Sequence, residues 1–180
     1  MLQVKIPGFE YFDERTNEFH TVHETTLRLE HSLVSLSKWE SKWKKPFLGK
    51  GEKTIEECRD YVRCMTITQN VNPLIYKFLP NGVMKAVNDY IEDSMTATWF
   101  SKDENRRHSN EVVTAEIIYY WMVALSIPFE CQNWHLNRLI TLIRVCNIKN
   151  APQKKLTRSE VLERNRALNM ARRQSMHSRG

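Results

Sequence analysis

The segment Gly49-Lys-Gly-Glu-Lys-Thr54 has the composition of a phosphate-binding loop. Such a cradle needs its second glycine directly before the lysine, and here Glu52 separates Gly51 from Lys53. No strand leads into it, so it reads as a solvated loop between helices. His20 and His23, followed by His31, could offer imidazoles to a metal. Residues three apart on a strand face opposite sides, so the first two rings diverge. No cysteine or carboxylate completes a tetrahedral set at a recognised spacing. Cys131 and His135 could share one helix face as a thiol and its base. A reactive thiol needs an electropositive, part-exposed setting, and this one has apolar neighbours. His135, beside Trp134, reads as a satisfied, half-buried histidine. There is no Gly-x-Ser-x-Gly elbow and no carboxylate pair on an apolar face. The expectation is a protein that is not an enzyme, with no catalytic, cofactor-binding or metal-ligating residue.

Two features remain. Trp39 and Trp43 lie among Lys38, Lys42, Lys44 and Lys45. That mixture could stack on and neutralise a nucleic acid, or form an amphipathic helix whose lysines snorkel over a core. The second reading is preferred. The other feature is charge asymmetry. From Lys149 to Gly180 there are nine Lys or Arg against two Glu, a balance of +7. The other 148 residues carry 18 basic and 19 acidic residues. A nearly neutral body with a cationic end points to a partner-binding arm. Its candidate contact residues are Lys154, Lys155, Arg158, Arg164, Arg166, Arg172 and Arg173.

The elements that must position these residues follow from periodicity. With 180 residues and 41% hydrophobic content, the chain can build a real core. No apolar run reaches the roughly 18–20 residues that a membrane span needs, and the start of the chain lacks the pattern of a secretory signal. Four cysteines without a Cys-x-x-Cys pair read as reduced, buried thiols. Residues 2–6 and 18–22 alternate with period two, which predicts a hairpin or three-stranded β-meander over about 1–24. Leu29, Leu33, Leu36, Trp39 (or Glu40) and Trp43 then fall on one helical stripe that ends at Pro46. Thr54 and Glu57 form a capping box for the next helix, and Asn72-Pro73 opens a short one that stops before Gly82. A further helix is predicted over about 83–92 and a charged loop over 102–110. Glu111 to Leu125 is apolar on most sides and reads as a central, buried helix. A partner helix is predicted from Pro128 to about Cys146, with Cys131, Trp134, Leu139, Leu142 and Val145 inward. Pro152 marks a boundary. A second capping box, Thr157 with Glu160, opens a helix from about Arg158 to Arg173, thin in apolar residues. The fold class expected is α+β, predominantly α. A globular domain over 1–150 carries the small meander and a helical core over about 25–150, followed by a basic helical tail over 151–180.

Several stretches resemble a family of tailed-bacteriophage proteins. They are the segment from Leu27 through Ser37-Lys-Trp-Glu-Ser-Lys-Trp-Lys-Lys-Pro to Leu48, Tyr61-Val-Arg-Cys-Met-Thr66, the segment Ile118 to Glu130, Trp134-His-Leu-Asn-Arg-Leu139 through Asn147, and Arg164-Asn-Arg-Ala-Leu-Asn169. The likeness covers most of the chain, and its most specific parts are the Lys-Trp-Glu-Ser block and the segment after Trp134. The family looks like the tail assembly chaperones encoded near the tape measure protein. The resemblance implies a non-enzymatic protein of the host cytoplasm that keeps the long helical tape measure soluble while the tail tube assembles. Partners implied are the tape measure or other tail proteins, with self-association open and no membrane. The alternative is a virion structural protein at the head–tail or tail junction. A third reading is a basic nucleic-acid-binding protein.

Overall fold

The computed structural model describes residues 1–15, 17–100, 112–151 and 158–175. The fold is α+β and mostly helical. Four strands open it: β1 (Leu2–Ile6), β2 (Phe9–Asp13), β3 (Glu18–Val22) and β4 (Thr25–Leu29). β1 pairs with β4 and β2 with β3, both antiparallel. Leu2 faces Leu29, Ile6 faces Thr25, Phe9 faces Val22 and Asp13 faces Glu18, so both ladders keep one register. Of the hairpin and the three-stranded meander expected, the hairpin is the one formed, and the meander is corrected: the strands make one long hairpin, interrupted midway. Pro7 has no N–H to give the ladder. Gly8 passes so close to the opposite chain that a Cβ there would lie 3.1 Å from the Val22 carbonyl oxygen.

β4 is also a correction, since residues 25–29 were expected to begin the helical core and Leu29 to lie on a helical stripe. Leu27 and Leu29 instead extend the period-two face of Val4 and Ile6, and all four are buried. Residues 65–68 run along β4, with the Glu30 N–H donating to the Met65 carbonyl and the Ile67 N–H to the Arg28 carbonyl. Ser32 then starts α1 (Leu33–Trp43). The Ser32 and Ser35 side chains each accept the other's backbone N–H, a reciprocal cap that sets the change of period here.

The expected Thr54–Glu57 capping box opens α2 (Ile55–Met65), with both reciprocal bonds formed. Replacing Thr54 by alanine is expected to cost about 1 kcal/mol, read as a lower urea midpoint at unchanged slope. The short α3 (Leu74–Lys77) follows, where Asn72 Oδ1 accepts the Leu74 N–H. Next come α4 (Asn81–Glu92), α5 (Ala115–Ala124), α6 (Leu136–Asn150) and α7 (Arg158–Ser175). The charged loop expected at 102–110 lies outside the described residues.

α5 is not buried on most sides. Ala115, Ile118 and Met122 make one inward stripe, while Trp121 is half-buried and Tyr120 and Val123 are exposed. Nor does a helix run on from Pro128. A 3₁₀ turn covers Phe129–Asn133, and Trp134 returns to extended backbone before α6 begins. Cys131 and His135 are therefore not on one helix face. The inward residues of α6 are Leu136, Leu139 and Ile143, one turn apart, whereas Leu142 and Val145 are only half-buried.

Two apolar clusters form the core. The first joins the inner hairpin face to Trp39 of α1, to Tyr61, Val62 and Met65 of α2, and to Val87 and Tyr90 of α4. The second joins Leu33 and Leu36 of α1 to the inward stripes of α5 and α6. α1 thus feeds both clusters, and Phe47 packs against both. By compactness the chain divides into Met1–Asn147 and Ile148–Gly180.

Candidate functional site

The cationic arm is α7. Arg164, Arg166, Arg172 and Arg173 all lie on it and are exposed. Arg158 is its first residue, though its side chain lies outside the described set, as do Lys154, Lys155 and the expected cap at Thr157. Helical spacing sorts the described residues into two files. Val161, Arg164, Leu168 and Arg172 occupy one side, and Leu162, Arg166, Met170 and Arg173 occupy another. Each file interleaves two apolar side chains with two arginines. Val161, Leu162, Leu168 and Met170 are exposed. The helix therefore presents apolar contact and forked donors on the same faces.

The polar chemistry in the body was not visible in the sequence. His31 and His135 are buried at 2% and 6% exposure. Their rings meet edge to face with centroids 5.1 Å apart. The chain segments are stitched as well: Ser32 bridges His135, and the Leu136 N–H donates to the His31 carbonyl at 2.7 Å. His31 Nδ1 lies 2.6 Å from the Tyr61 hydroxyl. His135 Nε2 lies 2.9 Å from the Tyr90 carbonyl oxygen. A carbonyl only accepts, so that nitrogen donates to it. Nδ1 is buried without a partner, so His135 is not the satisfied, half-buried residue that was expected. The Tyr90 hydroxyl donates to Glu30 at 2.6 Å, and Glu30 also pairs with the terminal amine of Met1.

Burial, helped by the charge of His135, pushes the His31 pKa from 6.5 down to about 3. Desolvation raises the Tyr61 hydroxyl, and burial together with the bond to Glu30 raises Tyr90. His31 meets a single hydroxyl and His135 a backbone carbonyl, so no chain of hydroxyls runs through the pair. Both rings are packed away from solvent, so the arrangement acts as a structural polar junction.

The tryptophan–lysine group is likewise structural. Trp39 is 1% exposed, and its Nε1 donates to the Glu57 carbonyl at 2.9 Å. Trp43 Nε1 donates to Asp60, which also binds Lys42 and Arg63. Burial pushes the Asp60 carboxyl up, but the bonds from Arg63, Lys42 and Trp43 outweigh it and hold it low. Lys45 and the Thr54 backbone hold Glu57 low in the same way. With Trp39 sealed in the core and two of the lysines paired, this surface has little left to stack on a base. His20 and His23 stand on and just beyond β3, away from this network in sequence and secondary structure. Among the described residues no group of three or more His, Cys, Asp or Glu is placed to hold a metal, all four cysteines are free, and no helix is long and apolar enough to cross a membrane.

No family model, curated protein or solved structure matches this chain.

Proposed function

We propose that this protein is a non-enzymatic assembly chaperone of a tailed phage, and that α7 is the arm that captures the tape measure protein. The observation that carries the reading is α7 itself, an 18-residue helix whose exposed faces interleave apolar side chains with arginine. A helix so poor in apolar residues is marginal alone and gains order on a partner. A tape measure is long and helical, so helix-on-helix contact would bury Leu162 and Met170 while Arg166 and Arg173 find carboxylates. The sequence resemblance points the same way.

Deleting residues 151–180 is expected to leave the body folded, with an unchanged circular-dichroism melt, and to abolish co-purification of a co-expressed tape measure. In the full chain, Arg166→Glu with Arg173→Glu should weaken the capture. Salt separates the partner classes. Binding carried by apolar burial falls only modestly with salt, whereas contacts to several phosphates lose about three decades between 50 and 200 mM. Strong, steeply salt-dependent DNA binding with no capture of the tape measure would replace this reading by a nucleic-acid one.

A further inference from the structure

The outer side of α5 is the largest discrepancy between composition and placement in the body. The helix is apolar nearly all round, and such helices are normally covered on every side. Yet Glu116, Tyr120, Val123 and Ala124 form one exposed stripe at spacings of four, three and one. Tyr120 is 68% and Val123 62% exposed. Phe129, 54% exposed, flanks the stripe through its ring contact with Tyr119. Contiguous exposed apolar surface of this kind marks an interaction site.

Its charge narrows the occupant. From Val112 to His135 the only charged residues are Glu116 and Glu130. A cationic amphipathic helix complements that surface, and the chain supplies one. α7 carries five arginines against two glutamates. Its Val161 and Leu168 are seven residues apart, the repeat of a seam between two helices, and Arg164 and Arg172 lie on the same file. Leu162 and Met170, eight apart, drift off such a seam.

We propose that the outer stripe of α5 is the docking site for α7 of a second copy of this chain. Val161 and Leu168 pack on Tyr120 and Val123, and Arg164 reaches Glu116. The contact goes beyond the tape-measure reading and does not consume it, because the Leu162, Arg166, Met170 and Arg173 file stays outward. The patch and the arm are different surfaces, so such contacts join copies head to tail unless two chains exchange arms and close a dimer.

The test uses the full-length protein alone, so its outcome is independent of any tape measure. Sedimentation equilibrium over a wide concentration range should show self-association. Tyr120→Asp with Val123→Asp, or Leu168→Glu, should leave monomers with an unchanged thermal melt, since these side chains are exposed. Glu116→Arg should weaken association about tenfold, and adding Arg164→Glu should restore it, because swapping both signs recreates the pair. A photo-crosslinking amino acid at position 123 of a tagged copy should link to α7 of an untagged copy. A monomer at every concentration, association indifferent to Leu168→Glu, or a link confined to the same chain would each overturn the proposal.

Discussion

Replacing Trp39 by alanine is expected to destabilise the body by about 5 kcal/mol, the largest effect of any single substitution considered. Large-to-small changes of a fully buried aromatic cost about 3–5 kcal/mol through lost transfer energy and the cavity left behind. Trp39 is almost wholly buried and makes ring contacts with Trp43 and with Phe47. Phe47 in turn stacks on Tyr61 with centroids 3.9 Å apart, so a hole at position 39 loosens a stack that touches both clusters. The substitution also strips the Glu57 carbonyl of the indole N–H, adding about 1 kcal/mol. Trp39→Phe should recover most of the apolar part but not the hydrogen bond, so it belongs between wild type and alanine. Urea unfolding at constant slope reads both. A loss under about 2 kcal/mol for the alanine variant would mean that the α1–α2 contact is not the centre of the core. Trp121, on the apolar helix that the sequence made central, is only half-buried and should lose less.

Elements whose signals are local were legible. The Thr54–Glu57 box, the Leu33–Leu36–Trp39 stripe and the long arginine helix each need only a few neighbouring residues to be recognised. β4 was not, because Leu27 and Leu29 suit a strand's period of two while Leu29 also falls on the helical stripe that begins at Leu33. Only the facing strand β1 decides between them, and the pairing of Leu2 with Leu29 spans the whole hairpin. α5 failed for a related reason. An apolar composition states how much surface wants cover, not how much the rest of this chain provides. Glu40 shows the limit at a single residue. It could be placed on the buried stripe, but nothing near it reveals that its carboxylate accepts the N–H of Phe47 and that of Ala115, the first residue of α5. That second bond supplies a cap that Thr114 does not, with negative charge at a helix N-terminus. The histidine junction is wholly non-local. His31 follows a strand and His135 precedes a helix, and the fold alone brings their rings together. No local pattern marks them, since His31 stands between Glu30 and Ser32 and His135 between Trp134 and Leu136.

That junction makes stability sensitive to mild acid. His31 has a folded pKa of about 3 against an ordinary 6.5, so the native state keeps it neutral while the unfolded chain accepts a proton. Above pH 6.5 neither state is charged and the residue adds no pH dependence. Below it the unfolded state binds one more proton, so stability falls by about 1.4 kcal/mol per pH unit until the folded pKa is reached. Between pH 7 and 4.5 the loss is about 2–3 kcal/mol, a large share of the roughly 5–15 kcal/mol that holds a domain together. Glu57 and Asp60 also lose stabilising charge in acid, but their ordinary pKa values of 4.5 and 3.8 place their onset lower, which leaves the window from 6.5 to 5 to histidine. His31→Gln removes this titration. At neutral pH the variant should be less stable, because the Tyr61 hydroxyl loses its 2.6 Å partner. On acidification its curve should fall less steeply, and the two curves should converge by about 1.4 kcal/mol per unit below pH 6.5. Urea titrations of both proteins at half-unit steps give the comparison. Parallel curves through that window would show that the His31 imidazole reaches solvent and is protonated without opening the junction.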